Sequence, residues 1–224
     1  LVAEVEAGRI QKVVHDEVRV IRLGQGVAQT KRLHPEALAR ADECLRDFAA
    51  KMKEFKVEKK LACATSAARD VANGAELVKI AEKHGIPMRI ISGDAEADYT
   101  FKGTVSEGVA GLVAIIDVGG GSTEYVFGGP KGIASRASLD LGAVRHTEKY
   151  ITRHPVPAAE IEALVHHVRA ETARAVAIRP KDWVAAKVIA VAGTPTTLAT
   201  LDQGLPFESD RVHGYRLKTA RILE

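Results

Sequence analysis

Asp117-Val-Gly-Gly-Gly-Ser-Thr-Glu124 sets a carboxylate at each end of a segment that contains three consecutive glycines. Glycine lets a backbone approach an anion closely and aim successive N–H groups at it. A strand ending at Asp117 and returning through Glu124 places the two acids across a hairpin neck. Oxygen donors beside a phosphate-sized nest suit Mg²⁺, which commonly bridges to phosphate. Asp117 and Glu124 are therefore the candidate metal ligands. Gly119, Gly120, Gly121 and Ser122 are the candidate phosphate contacts. The competing reading is a plain hairpin with solvated acids, but three glycines exceed what a tight turn needs.

Three further segments offer matching chemistry. Ala192-Gly-Thr-Pro-Thr-Thr197 follows the apolar run Val188-Ile-Ala-Val191. Strand, Gly-Thr, then helix is a phosphate-binding geometry, because helix N-terminal amides carry partial positive charge. Gly193 and Thr194 join the candidate set, and with the first loop they suggest a split phosphate cradle. In Ala64-Thr-Ser-Ala-Ala-Arg-Asp70, Arg69 lies one turn past a helix cap, and a guanidinium there suits bidentate phosphate contact. A surface ion pair with Asp70 or Glu76 competes with that role. In Ser92-Gly-Asp-Ala-Glu-Ala97, Glu96 follows a strand end and could position water for phosphate-ester hydrolysis. The competing reading is an ordinary acid in a helix's first turn.

Other chemistries are disfavoured. Neither glycine loop fits G-x-x-x-x-G-K-[ST] or G-x-G-x-x-G. Ser122 lacks the G-x-S-x-G context of a nucleophile elbow. The eight histidines are scattered, with neither H-E-x-x-H nor a Cys/His pairing that would bind zinc.

The elements that must carry these residues alternate between strands and helices, which argues an α/β protein with two related lobes. Residues 1–14 read as a hairpin, and Val18–Leu23 as a third strand. Leu38, Ala41, Leu45, Phe48, Met52 and Phe55 form one helical apolar stripe after Pro35, read as core. Lys51, Lys53, Lys56, Lys59 and Lys60 near its end read as a solvated face, with a polyanion track as the alternative. Strands are expected at 61–64, 88–91, 111–118, 122–127, 132–138 and 187–192. Helices are expected from 65, over 74–84, 93–108, 143–152 and 156–178, and after 193.

Composition sets the outer limits. The chain has 224 residues, with 32 Lys plus Arg against 29 Asp plus Glu and a formal charge of +3. That balance excludes a polybasic DNA binder. No apolar run reaches the ~18–20 residues of a membrane span, and no signal peptide is visible at Leu1-Val-Ala-Glu-Val. Cys44 and Cys63 read as buried residues of a reducing compartment, so a cytoplasmic location is expected.

Ala64–Asp70, Ile91-Ser-Gly-Asp-Ala-Glu-Ala97, Asp117–Glu124, Ala192-Gly-Thr and Arg211-Val-His-Gly-Tyr-Arg216 together resemble the exopolyphosphatase / guanosine pentaphosphate phosphohydrolase (Ppx/GppA) family. The motifs keep the family's order over almost the whole chain. The resemblance implies an α/β, actin-like ATPase (ribonuclease H-like) fold of two lobes with an interlobe cleft. It divides the chain into an N-terminal lobe over 1–103 and a C-terminal lobe over 104–224. It also implies a catalytic glutamate at Glu96, metal- and water-associated acids at Asp117 and Glu124, phosphate-binding glycines at Gly119–Gly121 and a phosphate-contacting arginine at Arg69.

Against that pattern, the chain starts where the family's first strand and D-x-G-S-N-type loop have just ended, stops before its closing segment, and has Ala95-Glu96 where an acid pair is usual. The expectation is a Mg²⁺-dependent, bacterial phosphohydrolase. It would release terminal orthophosphate from inorganic polyphosphate or guanosine pentaphosphate, the latter linking it to the stringent response, with a possible homodimer as the family-level state. The alternatives are an actin-like kinase or ATPase, and a non-catalytic module that binds polyphosphate or a guanosine alarmone.

Overall fold

The computed structural model describes residues 1–106, 108, 110–181 and 187–222. They divide into two compact units, Leu1–Glu96 and Ala97–Glu224. The boundary falls within the first turn of one helix.

In the first unit, β1 (Val2–Glu6) and β2 (Arg9–His15) make the expected antiparallel hairpin. The expected third strand at Val18–Leu23 does not form; residues 16–22 carry no strand. Side-chain bonds tie this segment to a later helix instead. After α1 (Val27–Thr30) comes α2 (Pro35–Glu54), and its Arg40 Nε donates to the Ile21 carbonyl at 2.8 Å. Arg19 Nη1 donates to Asp47 Oδ2, also on α2, at 2.6 Å. The segment is thus tied down by side-chain bonds, and the apolar alternation that suggested a strand leaves Val18 and Val20 exposed.

The N-terminal half of the stripe on α2 is core, as its spacing requires. Ala41 is buried, and Leu38 and Leu45 pack against the same cluster, with Ala64, Ala68 and Leu77. Towards its C-terminal end the stripe is covered by polar residues: Arg19 lies 5.6 Å over the Phe48 ring, and His15 stacks on Phe55 at 5.3 Å. The following lysines are partly engaged, Lys51 with Glu17 at 3.4 Å and Lys60 with the Gly85 carbonyl at 3.0 Å.

β3 (Ala62–Ala64) leads into α3 (Ser66–Arg69), α4 (Gly74–Lys83) and β4 (Met88–Ile90), which pairs parallel with β3. α5 (Gly93–Ser106) follows. The helix expected to run to Gly108 ends at Ser106, and Glu107 lies outside the described residues. Ser92 caps it: its Oγ accepts from Ala95 N–H at 3.2 Å, and its carbonyl from Glu96 N–H at 2.9 Å.

The second unit is built on β5 (Val113–Val118), β6 (Thr123–Gly129) and β7 (Gly132–Leu139), an antiparallel meander. α6 (Ala143–Tyr150) and α7 (Ala158–Ala177) follow, and β8 (Lys187–Val191) returns parallel to β5. The sheet order is β7-β6-β5-β8. α8 (Gly193–Gln203), α9 (Ser209–Val212) and α10 (Thr219–Ile222) complete the described chain. Phe101 and Ala97 of α5 pack on Val113, Ile115 and Val126 of the sheet. Burying side chains of this size contributes ~1.5–3 kcal/mol each, which fixes the sheet against α5.

Candidate functional site

Both glycine loops leave the same edge of one sheet. β5 and β8 run parallel, with Asp117 opposite Val191. The turn after Val118 and the segment after Val191 therefore emerge side by side at the carboxyl ends of neighbouring strands, the place where open α/β sheets bind ligands. The sequence placed each loop after a strand; the structure adds that the two strands are partners.

Asp117 also pairs directly with Glu124 across β5 and β6. Opposite residues of an antiparallel pair present their side chains on one face. Asp117 is half-buried, and its Oδ2 accepts the Thr100 hydroxyl from α5 at 2.9 Å. Burial pushes its carboxyl above the usual range, while the Thr100 bond pulls the other way. Glu124 is 1% exposed, and its Oε1 accepts from Ser138 Oγ at 2.8 Å. Neither acid is the freely solvated group of a plain hairpin. A half-buried carboxylate that resists ionisation, with a second one opposite, is a donor set that a hard cation would complete. Among the described residues no group of three or more His, Cys, Asp or Glu could hold a metal ion. A cation here would thus use one or two carboxylates and fill its remaining positions with water and phosphate oxygens, the usual habit of Mg²⁺.

The triple-glycine turn is shaped by α6. Gly119 N–H donates to the Ser122 carbonyl at 3.0 Å and closes the hairpin. The Gly119 carbonyl accepts from Ala143 N–H, and the Gly120 carbonyl from Val144 and Arg145 N–H, each at 3.0 Å. The Gly121 carbonyl accepts from Arg145 Nε at 2.7 Å. None of the three glycines has a positive φ. The close approach that does require glycine lies at Gly142, where a Cβ would sit 2.3 Å from the Gly120 carbonyl oxygen and 2.4 Å from two backbone carbons. Ser122 is buried, and Gly120 is exposed.

At the second loop, Ala192 holds φ 73° and ψ −170° as the N-terminal flank of α8. That backbone region is occupied almost only by glycine. Gly193 is exposed, and its carbonyl accepts the hydroxyls of Thr196 and Thr197 at 3.0 and 2.8 Å. Thr194 lines a cavity of about 310 Å³ together with Val118, Tyr125, Gly142 and His146. His146 is buried, stacks on His167 at 5.1 Å and on Tyr150 at 5.9 Å, and approaches the Gly142 amide with Nδ1 at 3.2 Å. Burial holds its imidazole below the ordinary value, and the nearby His167, Lys149 and Arg145 act in the same direction.

Arg69 and Glu96 meet in the first unit. Arg69 Nη1 donates to Glu96 Oε2 and to the Ile91 carbonyl, both at 3.1 Å, and its Nε lies 3.5 Å from Asp70. Of the two ion-pair partners considered for Arg69, Asp70 is near; Glu76 lies 3.9 Å from Arg32. Thr100, Gly142, Arg145 and His146 were not singled out by sequence, and Ala192 entered only as the first residue of its loop motif. Only Thr100 left a signal, four residues after Glu96 on the same helix face.

The sequence profile of the Ppx/GppA phosphatase family matches residues 1–223. Exopolyphosphatase 2 of Mycobacterium tuberculosis is 36% identical over 236 residues, spanning 100% of this chain and 73% of that protein. The crystal structure of an exopolyphosphatase-like protein superposes with a TM-score of 0.82 at 34% identity, over 90% of this chain and 64% of that one. The Aquifex aeolicus Ppx/GppA family member superposes with a TM-score of 0.74 at 28% identity, over 98% and 70%. The fold is the α/β fold of these Ppx/GppA proteins, the family whose resemblance implied an actin-like ATPase type. Among the described residues, no helix is long and apolar enough to cross a membrane.

Proposed function

The chain belongs to the Ppx/GppA phosphatase family, and from that premise we propose that it releases terminal orthophosphate from a linear phosphoanhydride chain, with inorganic polyphosphate as the first substrate. One observation carries the reading. Two loops of phosphate-binding type leave neighbouring parallel strands, beside a half-buried carboxylate paired with a second one. Polyphosphate comes first because the curated relative of 36% identity is an exopolyphosphatase. Guanosine pentaphosphate ends in the same phosphoanhydride group and is the second substrate to test.

In this reading the exposed Gly120 and the α8 N-terminus at Gly193 and Thr194 bind phosphate oxygens through backbone amides. Asp117 and Glu124 are the residues that would hold Mg²⁺. When bound, the cation neutralises charge on the transferring phosphoryl group. Glu96 orients water and takes its proton, and Arg69 keeps the Glu96 carboxylate in one position. Arg69 is already engaged by Glu96, Asp70 and the Ile91 carbonyl, so contact with phosphate would exchange one of those partners. Donors fixed in advance of the reaction lose little free energy in reorganising.

The test is phosphate release by the 224-residue chain from polyphosphate and from guanosine pentaphosphate, with Mg²⁺ and with chelator. Mg²⁺-dependent release is expected, and Glu96→Ala should lower it by ~10²–10⁴-fold, the usual worth of a positioned acid or base. Unchanged turnover in that variant removes Glu96 from the role. Binding of either substrate with no turnover in the wild type selects a non-catalytic binding module.

A further inference from the structure

The three carbonyls of Gly119, Gly120 and Gly121 all point to one helix. Four donors of α6 hold them: the amides of Ala143, Val144 and Arg145, and the Arg145 side chain. In a planar trans peptide the C=O of one residue and the N–H of the next point in opposite directions. Fixing those carbonyls towards α6 therefore turns the N–H groups of Gly120, Gly121 and Ser122 away from it. None of these three amides donates to a protein acceptor among the described residues. Successive amides facing one side make an anion-binding concavity. Among the described residues, the last peptide, Gly121–Ser122, is held by a side chain alone, Arg145 Nε at 2.7 Å. Arg145 is itself steadied, with Nη2 3.6 Å from Asp140 and its side chain only 17% exposed.

We propose that Arg145 is a positioning residue: by holding the Gly121 carbonyl, its guanidinium aims the Ser122 N–H into the phosphate nest. This rests on the phosphate reading of the turn and names the side chain that sets its shape. Arg145 acts through the peptide plane and not by touching the anion. Lysine offers one donor group without the fixed fork of the guanidinium, so it should replace Arg145 only in part.

The experiment uses Arg145→Gln and Arg145→Lys. The amide resonances of Gly121 and Ser122 are followed in ligand-free protein, and inorganic tripolyphosphate binding is measured by calorimetry. Arg145→Gln should move both resonances without any ligand and weaken tripolyphosphate binding about tenfold or more, the worth of a charge-assisted hydrogen bond. Arg145→Lys should recover part of each effect, and it carries the test should the glutamine variant fail to fold. Weakened binding with unmoved resonances would place Arg145 on the anion itself and overturn the proposal, as would unchanged binding. If the wild type binds no tripolyphosphate, the phosphate reading of the turn fails; the ligand-free resonances still report whether Arg145 sets the peptide.

Discussion

Arg69 donates to Glu96 at 3.1 Å, and the same nitrogen donates to the Ile91 carbonyl just past the end of the preceding strand. The guanidinium therefore clamps the carboxylate to the backbone that leads into its own helix. A carboxylate held this way has little freedom to rotate. Under the proposed function, Arg69→Met should lower kcat for polyphosphate by ~10–100-fold, since small misplacements of a catalytic group are costly. Its melting temperature should change little, because partly exposed ion pairs contribute only ~0–1 kcal/mol. Phosphate release and thermal melting, measured side by side, separate the two effects. A variant with wild-type kcat would show that the clamp has no part in turnover.

Asp117 resists ionisation where it stands. Its folded-state pKa lies above the unfolded value of 3.8, chiefly through burial. Between those two values the folded state binds more protons than the unfolded state. Stability from this group is therefore greatest at and below pH 3.8 and falls as the pH rises through the raised folded value. Asp117→Asn keeps an oxygen for the Thr100 hydroxyl and removes the charge. It should melt above the wild type at neutral pH, with the gap closing in acid. Mg²⁺ should raise the melting point of the wild type and not of the variant, if the cation binds there. A variant that melts below the wild type at neutral pH would contradict the sign.

These two sites show what could be read in the sequence. Asp117, Glu124 and the glycines were found because a carboxylate at a strand end and consecutive glycines leave a local pattern. Their mutual placement was half readable: the hairpin predicts Asp117 opposite Glu124, and the register confirms it. The pairing of β5 with β8 was not readable, because parallel partners are distant in sequence. Gly142 and Arg145 are invisible for the same reason: their partners lie more than twenty residues away, at Gly120 and Gly121. The missing strand at Val18–Leu23 shows the converse failure. Its alternation was real, but the segment is tied to α2 by Arg40 on the Ile21 carbonyl and by the Arg19–Asp47 ion pair, and not by a strand ladder.

Ala192 carries backbone strain at the second loop, with φ 73° and ψ −170°. A non-glycine residue in such a region costs ~1–3 kcal/mol. Glycine removes that strain but gives the unfolded chain more freedom, worth ~0.5–1 kcal/mol. Ala192→Gly should therefore stabilise the protein by up to ~2.5 kcal/mol in urea titration, the balance of those terms. Ala192→Val should be less stable than the wild type. A glycine variant less stable than the wild type would mean that the position is not strained.

His146 titrates with the opposite sign to Asp117. Burial, with the cations of Lys149 and Arg145 nearby, holds its folded pKa below the ordinary 6.5. Above pH 6.5 the ring is neutral in both states, and its full contribution is present. As the pH falls below that value, the unfolded chain takes up a proton that the folded ring refuses, and stability drops until the folded value is passed. The consequence reaches the glycine turn, because His146 Nδ1 lies against Gly142, on which the turn rests. His146→Asn places a neutral side chain there and should flatten the fall in stability on the acid side of pH 6.5. Urea titrations of wild type and variant across that range give the slopes directly. Equal slopes would show that some other group causes the acid instability.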